Sequence, residues 1–215
     1  MRGYKQKHSY ENLNKMIFDG VGEYGIPNLY AEQIEAKEFC GFNFARTCDA
    51  ATNKMLHFFL DDYQFNRIWN KPDLYIDLIL RFKCVCTPDF STYADFPKVI
   101  QIYNHYRKHW LGAYWQAHGG CVIPTISWSD RESFSWCFDG EPKGGAVAVS
   151  SVGTQDDTVS QHLFMNGYME MLKRLRPSMI YFYGDVPEGC QGNIIRIPAF
   201  QNELKMRCKT QKGVV

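Results

Sequence analysis

Six apolar, β-rich runs separated by helical patterns constrain this chain more than any other feature. They are "CGFNFA" (40–45), "MLHFFLDD" (55–62), "FKCVCTPD" (82–89), "CVIPTIS" (121–127), "GAVAVSSVG" (145–153) and "MIYFYGD" (179–185). Each is short for a helix, and its apolar residues run on rather than alternate. A strand reads this way when both its faces are covered, as in a parallel sheet. Strands that alternate with helices make the β-α units of an α/β fold. A full eight-fold barrel takes about 250 residues, and this chain has 215. The pattern predicts parallel β-α units in a small or incomplete (β/α) barrel. An open doubly wound sheet is the alternative.

Two long helical patterns lie between the later runs. In 95–119, Val99, Tyr103, Tyr106, Trp110 and Tyr114 recur at spacings of three and four, which makes one apolar stripe. Pro97 suits its first turn, and Gly119–Gly120 ends it. In 156–177 the stripe is Val159, Leu163, Tyr168, Leu172 and Leu175, with Lys173, Arg174 and Arg176 where positive charge suits the helix dipole. A shorter helix is expected over 28–39. Residues 1–28 are polar and read as an arm, 29–200 as a single α/β domain, and 201–215 as a basic tail.

Composition narrows the classes of partner. The formal net charge is +1, so no overall field selects nucleic acid or an anionic membrane. No apolar run reaches the roughly 18 residues that a membrane helix needs. The opening "MRGYKQKHSYENLNK" has no apolar stretch of the kind a secretory leader carries. A reducing cytoplasm is therefore expected, with the eight cysteines as thiols. No C-x2-C pair occurs, so no structural zinc is expected. Cys84 and Cys86 would share one face of a strand and read as buried apolar groups.

Each predicted strand ends in polar residues. They include Asn43; Asp61 and Asp62; Thr87 and Asp89; Thr125, Ser127, Trp128 and Asp130; Ser151; and Tyr183. In parallel α/β folds such ends converge on one face, where ligands bind. Asp61, Asp62, Asp89 and Asp130 are candidates for acid–base or divalent-metal roles. Asn43, Thr87, Thr125, Ser127, Trp128, Ser151 and Tyr183 are candidates for ligand contact. Helix capping competes with this reading. Ser129-Asp130-Arg131-Glu132 matches a capping box, and Asp62 and Asp156 can cap their helices. His105 and His109, four apart, could grip a metal but read as a solvated face beside Asn104, Arg107 and Lys108. His57 interrupts an apolar run and reads as a hydrogen-bonded core histidine. No phosphate-loop, dinucleotide or nucleophile-elbow pattern occurs.

The stretches "HFFLDDYQFNRIWNKPDLY", "CVCTPDFSTYADFPKVIQIYNHYRKHWLGAYWQ" and "VIPTISWSDRESFSWCFDGEPKGGAVAVSSVG" resemble a family known as domain of unknown function 4417, over roughly residues 38–185. The resemblance implies a phage, prophage or plasmid accessory protein working in a bacterial host's cytoplasm. It carries over no catalytic residue. Three functions are consistent with these features: an enzyme acting on a nucleotide-like or sugar-phosphate ligand, a protein that sequesters a host signalling nucleotide or blocks a host protein, and a nucleic-acid-binding replication accessory. Neutral charge counts against the last, because phosphate contacts need clustered Lys and Arg.

Overall fold

The structure, a computed structural model, describes residues 9–10 and 15–199. Two short antiparallel ribbons come first: β1 (Ser9–Tyr10) pairs β2 (Lys15–Met16), and β3 (Gly20–Val21) pairs β4 (Ile26–Pro27). The parallel strands follow. β5 (Glu38–Gly41), β6 (Lys54–His57), β7 (Cys84–Cys86) and β8 (Val122–Ile123) pair in sequence order. β9 (Ala146–Ser150), β10 (Met179–Tyr183) and β11 (Ile194–Ile197) do the same. A parallel bridge between Thr125 and Ala148 joins the two groups. The backbone bond from the Ile126 amide to the Ala148 carbonyl, 2.8 Å long, supports it.

Four helices connect or cover these strands: α1 (Asp62–Asn70), α2 (Ile76–Leu80), α3 (Lys98–Ala117) and α4 (Thr158–Leu175). None of the described helices is long and apolar enough to cross a membrane.

Alternation along the strands explains the layering, because successive side chains point to opposite faces. Leu56, Val85 and Val122 join a cluster with Phe65, Ile68, Ile79, Trp110 and Trp115 of α1–α3. Val147, Val149, Ile180 and Phe182 join one with Phe164, Tyr168 and Met171 of α4. The other face of the parallel strands turns inward. Met55, Cys84, Cys86, Ile123, Ala146, Ala148, Tyr181, Tyr183 and Ile197 form a single third cluster. Thus the inner residues of β6–β8 touch those of β9–β11, and the helices pack on the outer face. A doubly wound sheet has helices on both faces and a reversal of strand order; neither is seen among the described residues. The architecture is α/β with parallel sheets, and no pairing between β11 and β5 closes the ring among the described residues.

Five of the six expected runs contain a strand at the place expected, while the run at 40–45 contributes only Cys40 and Gly41 to β5 and turns into a 3-10 helix over Phe42–Thr47. A seventh, Ile194–Ile197, was missed because its burial is only partial and its run is short. The helix expected over 28–39 does not form. Residues 28–37 form neither helix nor strand, and their backbone is satisfied by distant partners. The Tyr30 amide bonds Gln116, the Glu32 carbonyl accepts from Ala146, and the Ala36 amide donates to the Tyr181 hydroxyl at 2.7 Å. The Tyr181 hydroxyl in turn donates to the Ile34 carbonyl. With those groups paired outside the segment, a helix has nothing to add. The ribbon residues fold against the domain rather than standing apart: Trp110 donates to the Met16 carbonyl, and the Lys15 ammonium lies 4.5 Å above the Trp69 ring. The tail at 201–215 lies outside the described residues.

Capping differs from the expectation in three places. Asp157, not Asp156, caps α4, accepting from the Val159 and Ser160 amides. Glu132 pairs with Lys98, and the Ser129 hydroxyl donates to Gln101, so the capping box is not built. The segment after Ser129 is a single 3-10 turn, Glu132–Ser135. It is held by Asp130, whose carboxylate accepts from the Ser133 amide at 2.9 Å. Asp62 sits inside the first turn of α1 and caps nothing, while Asp61 occupies the cap position without a side-chain bond.

Candidate functional site

The C-terminal ends of β7 and β8 are clamped together by two threonines. The Thr125 amide donates to the Thr87 hydroxyl at 2.8 Å, and the Thr125 hydroxyl donates to the Thr87 carbonyl at 2.6 Å. Both residues are fully buried, so they shape the strand ends rather than face solvent. Gly112 of α3 passes directly over Thr87; a Cβ there would lie 2.8 Å from the threonine methyl.

Lys108 of α3 sits beside this clamp. Its ammonium donates to the Thr125 carbonyl at 2.7 Å and to Glu141 Oε1 at 2.8 Å. Both side chains of that ion pair are almost wholly buried. Burial alone would push the Glu141 carboxyl up, but Lys108 and then His109 outweigh it, and the group stays below the usual carboxylate range.

Asp89, two residues beyond Thr87, is partly buried and lies within the field of the same ammonium. Burial pushes its carboxyl up to about 7; Lys108 opposes the rise and the Asp62 charge adds to it. Asp62 comes from the adjacent strand end, where its carboxylate accepts from the Ser91 amide and from the Ser91 hydroxyl at 2.9 Å. The Ser91 carbonyl in turn accepts from Asn104 of α3. Asp62, Asp89, Thr87, Thr125 and Lys108 therefore form one polar group where β6, β7 and β8 end against α3.

Lys108 extends that group into a second one. His105 and His109, a turn apart on α3, are buried with their ring centroids 4.4 Å apart. His109 Nε2 lies 2.9 Å from Glu141 Oε1, and its Nδ1 is 2.9 Å from the Pro27 carbonyl. His105 Nε2 lies 3.1 Å from the Asp139 carbonyl. Burial, followed by the Lys108 and His109 charges, holds His105 well below the usual histidine range. Gly140 makes this approach feasible. Its φ is +74°, and a Cβ there would stand 2.4 Å from the Pro27 carbonyl and 2.8 Å from His109 Nδ1. The reading of His105, Lys108 and His109 as a solvated face is thus overturned. The loop 136–141 and the Pro27 segment cover that side of α3, while Val99 at the far end of the apolar stripe is exposed. The available signal was the i, i+3, i+4 pattern of His105, Lys108 and His109 together with an acid next to Gly140.

The other candidates lie apart from Lys108. Asn43 is exposed in the 3-10 turn after β5. Asp61 is exposed. Ser127 is half-buried. Trp128 does not face open space: its indole lies against Gly167 of α4, where a Cβ would stand 2.1 Å from Nε1, and 5.5 Å from the Phe164 ring centroid. Asp130 holds its turn. The Ser151 hydroxyl donates to the Asp185 carbonyl at 2.6 Å. Tyr183 stacks on Phe59 at 4.7 Å and meets His57 at 5.3 Å. His57 is buried, its Nδ1 has no hydrogen-bond partner, and burial lowers it to about 4. It is a core histidine, though not a hydrogen-bonded one at that nitrogen. Cys84 and Cys86 are buried on the inner face, and Cys84 shares a hydrogen bond with Cys121. A shallow groove lined by Arg46, Leu74, Asp77, Leu78 and Arg81 also exists, but Arg81 precedes β7 and so belongs to the opposite edge of the sheet.

A parallel α/β domain with an acid–lysine group at its strand ends is the class that fold and site define. The chain belongs to the family described as Domain of unknown function (DUF4417), whose model matches residues 18–201. Over 184 residues it is 38% identical to the Gene 1 protein of Mycobacterium phage L5, covering 84% of this chain and 80% of that protein. Over 182 residues it is 37% identical to the Gene 1 protein of Mycobacterium phage D29, covering 83% of this chain and 67% of that protein. No solved structure matches the chain.

Proposed function

We propose that this homologue of phage Gene 1 proteins binds a small polar ligand at the ends of β6–β8 and moves a proton there through Asp89. The fold is read as an incomplete (β/α) barrel, in which strand ends are the expected place for a ligand. One observation carries the reading: a half-buried carboxyl at the end of β7, pushed up to about 7 by burial, in the field of the Lys108 ammonium and the Asp62 charge. A group poised near the working pH is the most effective general acid or base. The ligand class is nucleotide-like or sugar-phosphate, and the setting is a bacterial host's cytoplasm. A non-catalytic role, sequestering a host signalling nucleotide or blocking a host defence protein, is the second reading. It is favoured by the commitment of Asp62 to Ser91 and of Thr87 to Thr125, which leaves few groups free for chemistry.

The test is incubation of the full chain with a nucleotide and cell-extract metabolite panel, followed by mass spectrometry of retained and altered species. Asp89→Asn, folded normally, should lose alteration of any species that the wild type converts. If the wild type retains a species without converting it, the second reading replaces the first. If Asp89→Asn behaves as the wild type throughout, Asp89 has no part in the function.

A further inference from the structure

Histidine side chains bind metals through a lone-pair nitrogen, while the other ring nitrogen donates to a carbonyl or carboxylate that fixes the tautomer. Both buried histidines of α3 have this arrangement. His105 has Nε2 on the Asp139 carbonyl, and His109 has Nδ1 on the Pro27 carbonyl. A carbonyl only accepts, so each of these nitrogens carries the proton. In the neutral rings the lone pairs then sit on His105 Nδ1 and His109 Nε2. His105 Nδ1 is buried with no hydrogen-bond partner. His109 Nε2 lies 2.9 Å from Glu141 Oε1, so without a metal it donates a proton there, and its lone pair becomes available when that proton leaves. Glu141 Oε2 is likewise buried without a partner. One ligand atom from each of His105, His109 and Glu141 lies within 4.8 Å of the others.

We propose that His105, His109 and Glu141 bind a divalent transition-metal ion of borderline softness, such as zinc, cobalt(II) or ferrous iron. Two imidazoles and one carboxylate are a donor set for such ions. A cation resolves what the protein leaves unresolved, an orphan imidazole nitrogen and an orphan carboxylate oxygen, and takes the place of the proton between His109 Nε2 and Glu141 Oε1, which is released to solvent. Lys108 is the competing positive charge, but its ammonium is engaged by Glu141 Oε1 and the Thr125 carbonyl, so Oε2 is left for the metal. Three protein ligands leave a coordination position open. This inference goes beyond the strand-end reading and stands without it. It also departs from the expectation of no zinc, which considered cysteine spacing alone.

The full chain, stripped of metal by a chelator, would be titrated with cobalt(II) and followed by its visible absorption, and with zinc by calorimetry. The expected result is stoichiometric uptake, with a cobalt spectrum of nitrogen and oxygen ligation and no thiolate charge-transfer band. His105→Gln keeps the Lys108–Glu141 bond and should weaken binding by about 100-fold or more, at least the loss typical of second-shell partners. His162→Gln, an exposed histidine of α4, should leave it unchanged. Absence of uptake by the wild type would overturn the proposal. So would a thiolate band, which would place the ion on cysteine, or equal affinity in His105→Gln.

Discussion

Burial and charge pull in opposite directions on the acids around Lys108. Glu141 touches the ammonium and is held ionised, whereas Asp89 only feels it, and burial prevails. Asp89 therefore keeps its proton into neutral pH, and the sign of its effect on stability follows. Its folded value, about 7, is above its ordinary value of 3.8. The folded chain holds more protons between those values, so this contribution is complete below about pH 4 and is lost as pH rises through 7. The shift corresponds to roughly 4 kcal/mol, reduced because the side chain is partly exposed. Asp89→Asn should thus match the wild type at pH 4 and be more stable at pH 8, measured by urea unfolding. A variant less stable at pH 8 would mean that the ionised carboxylate is held by a favourable contact. Such a residue was visible in the sequence as a strand-end acid; its proton affinity was not, because that depends on Lys108, nineteen positions along the chain and on another element.

Helix α3 shows what periodicity can and cannot reveal. Trp110 and Tyr114 pack into the core as the stripe requires. The opposite side is buried as well, by residues 27–29 and 136–141, which no pattern within the helix could disclose. Energetically this side rests on a buried ion pair, and breaking such a pair leaves an uncompensated charge. Glu141→Gln should cost about 3–5 kcal/mol, whereas Lys108→Met with Glu141→Leu should restore most of it. Chemical denaturation of the single and double variants checks this; an additive loss in the double variant would show that the pair is not the source of the cost. Gly140 is the backbone condition for the same contact. Gly140→Ala should destabilise the fold, since its positive φ and the Pro27 carbonyl both oppose a side chain.

At the scale of the molecule, the strands were legible because parallel strands covered on both faces are uniformly apolar, as Ala146–Val149 shows. The curl that brings Tyr181 and Tyr183 against Phe39, Phe59 and His57 was not, since it is a relation between distant strands. The irregular path of residues 28–37 was hidden for the same reason: its partners are Gln116, Ala146 and Tyr181. The protein's pH response should combine these buried groups. His57, lowered to about 4, contributes stability above its ordinary value of 6.5 that is lost as pH falls towards 4. Asp89 acts in the opposite sense, so the two contributions should nearly cancel between about pH 4 and 6.5, and stability measured by urea unfolding should fall as pH rises from about 6.5 through 7.

The proposed function needs a proton-active carboxyl at the ends of β6–β8, and carboxyl carbon NMR of the full chain through a pH titration reads it directly. Asp89 should titrate near 7, fall when Asp62→Asn removes the neighbouring charge, and rise when Lys108→Met removes the ammonium. A midpoint at the ordinary aspartate value, unmoved by either substitution, would contradict that role for Asp89 and leave the strand ends without a group fitted for proton transfer.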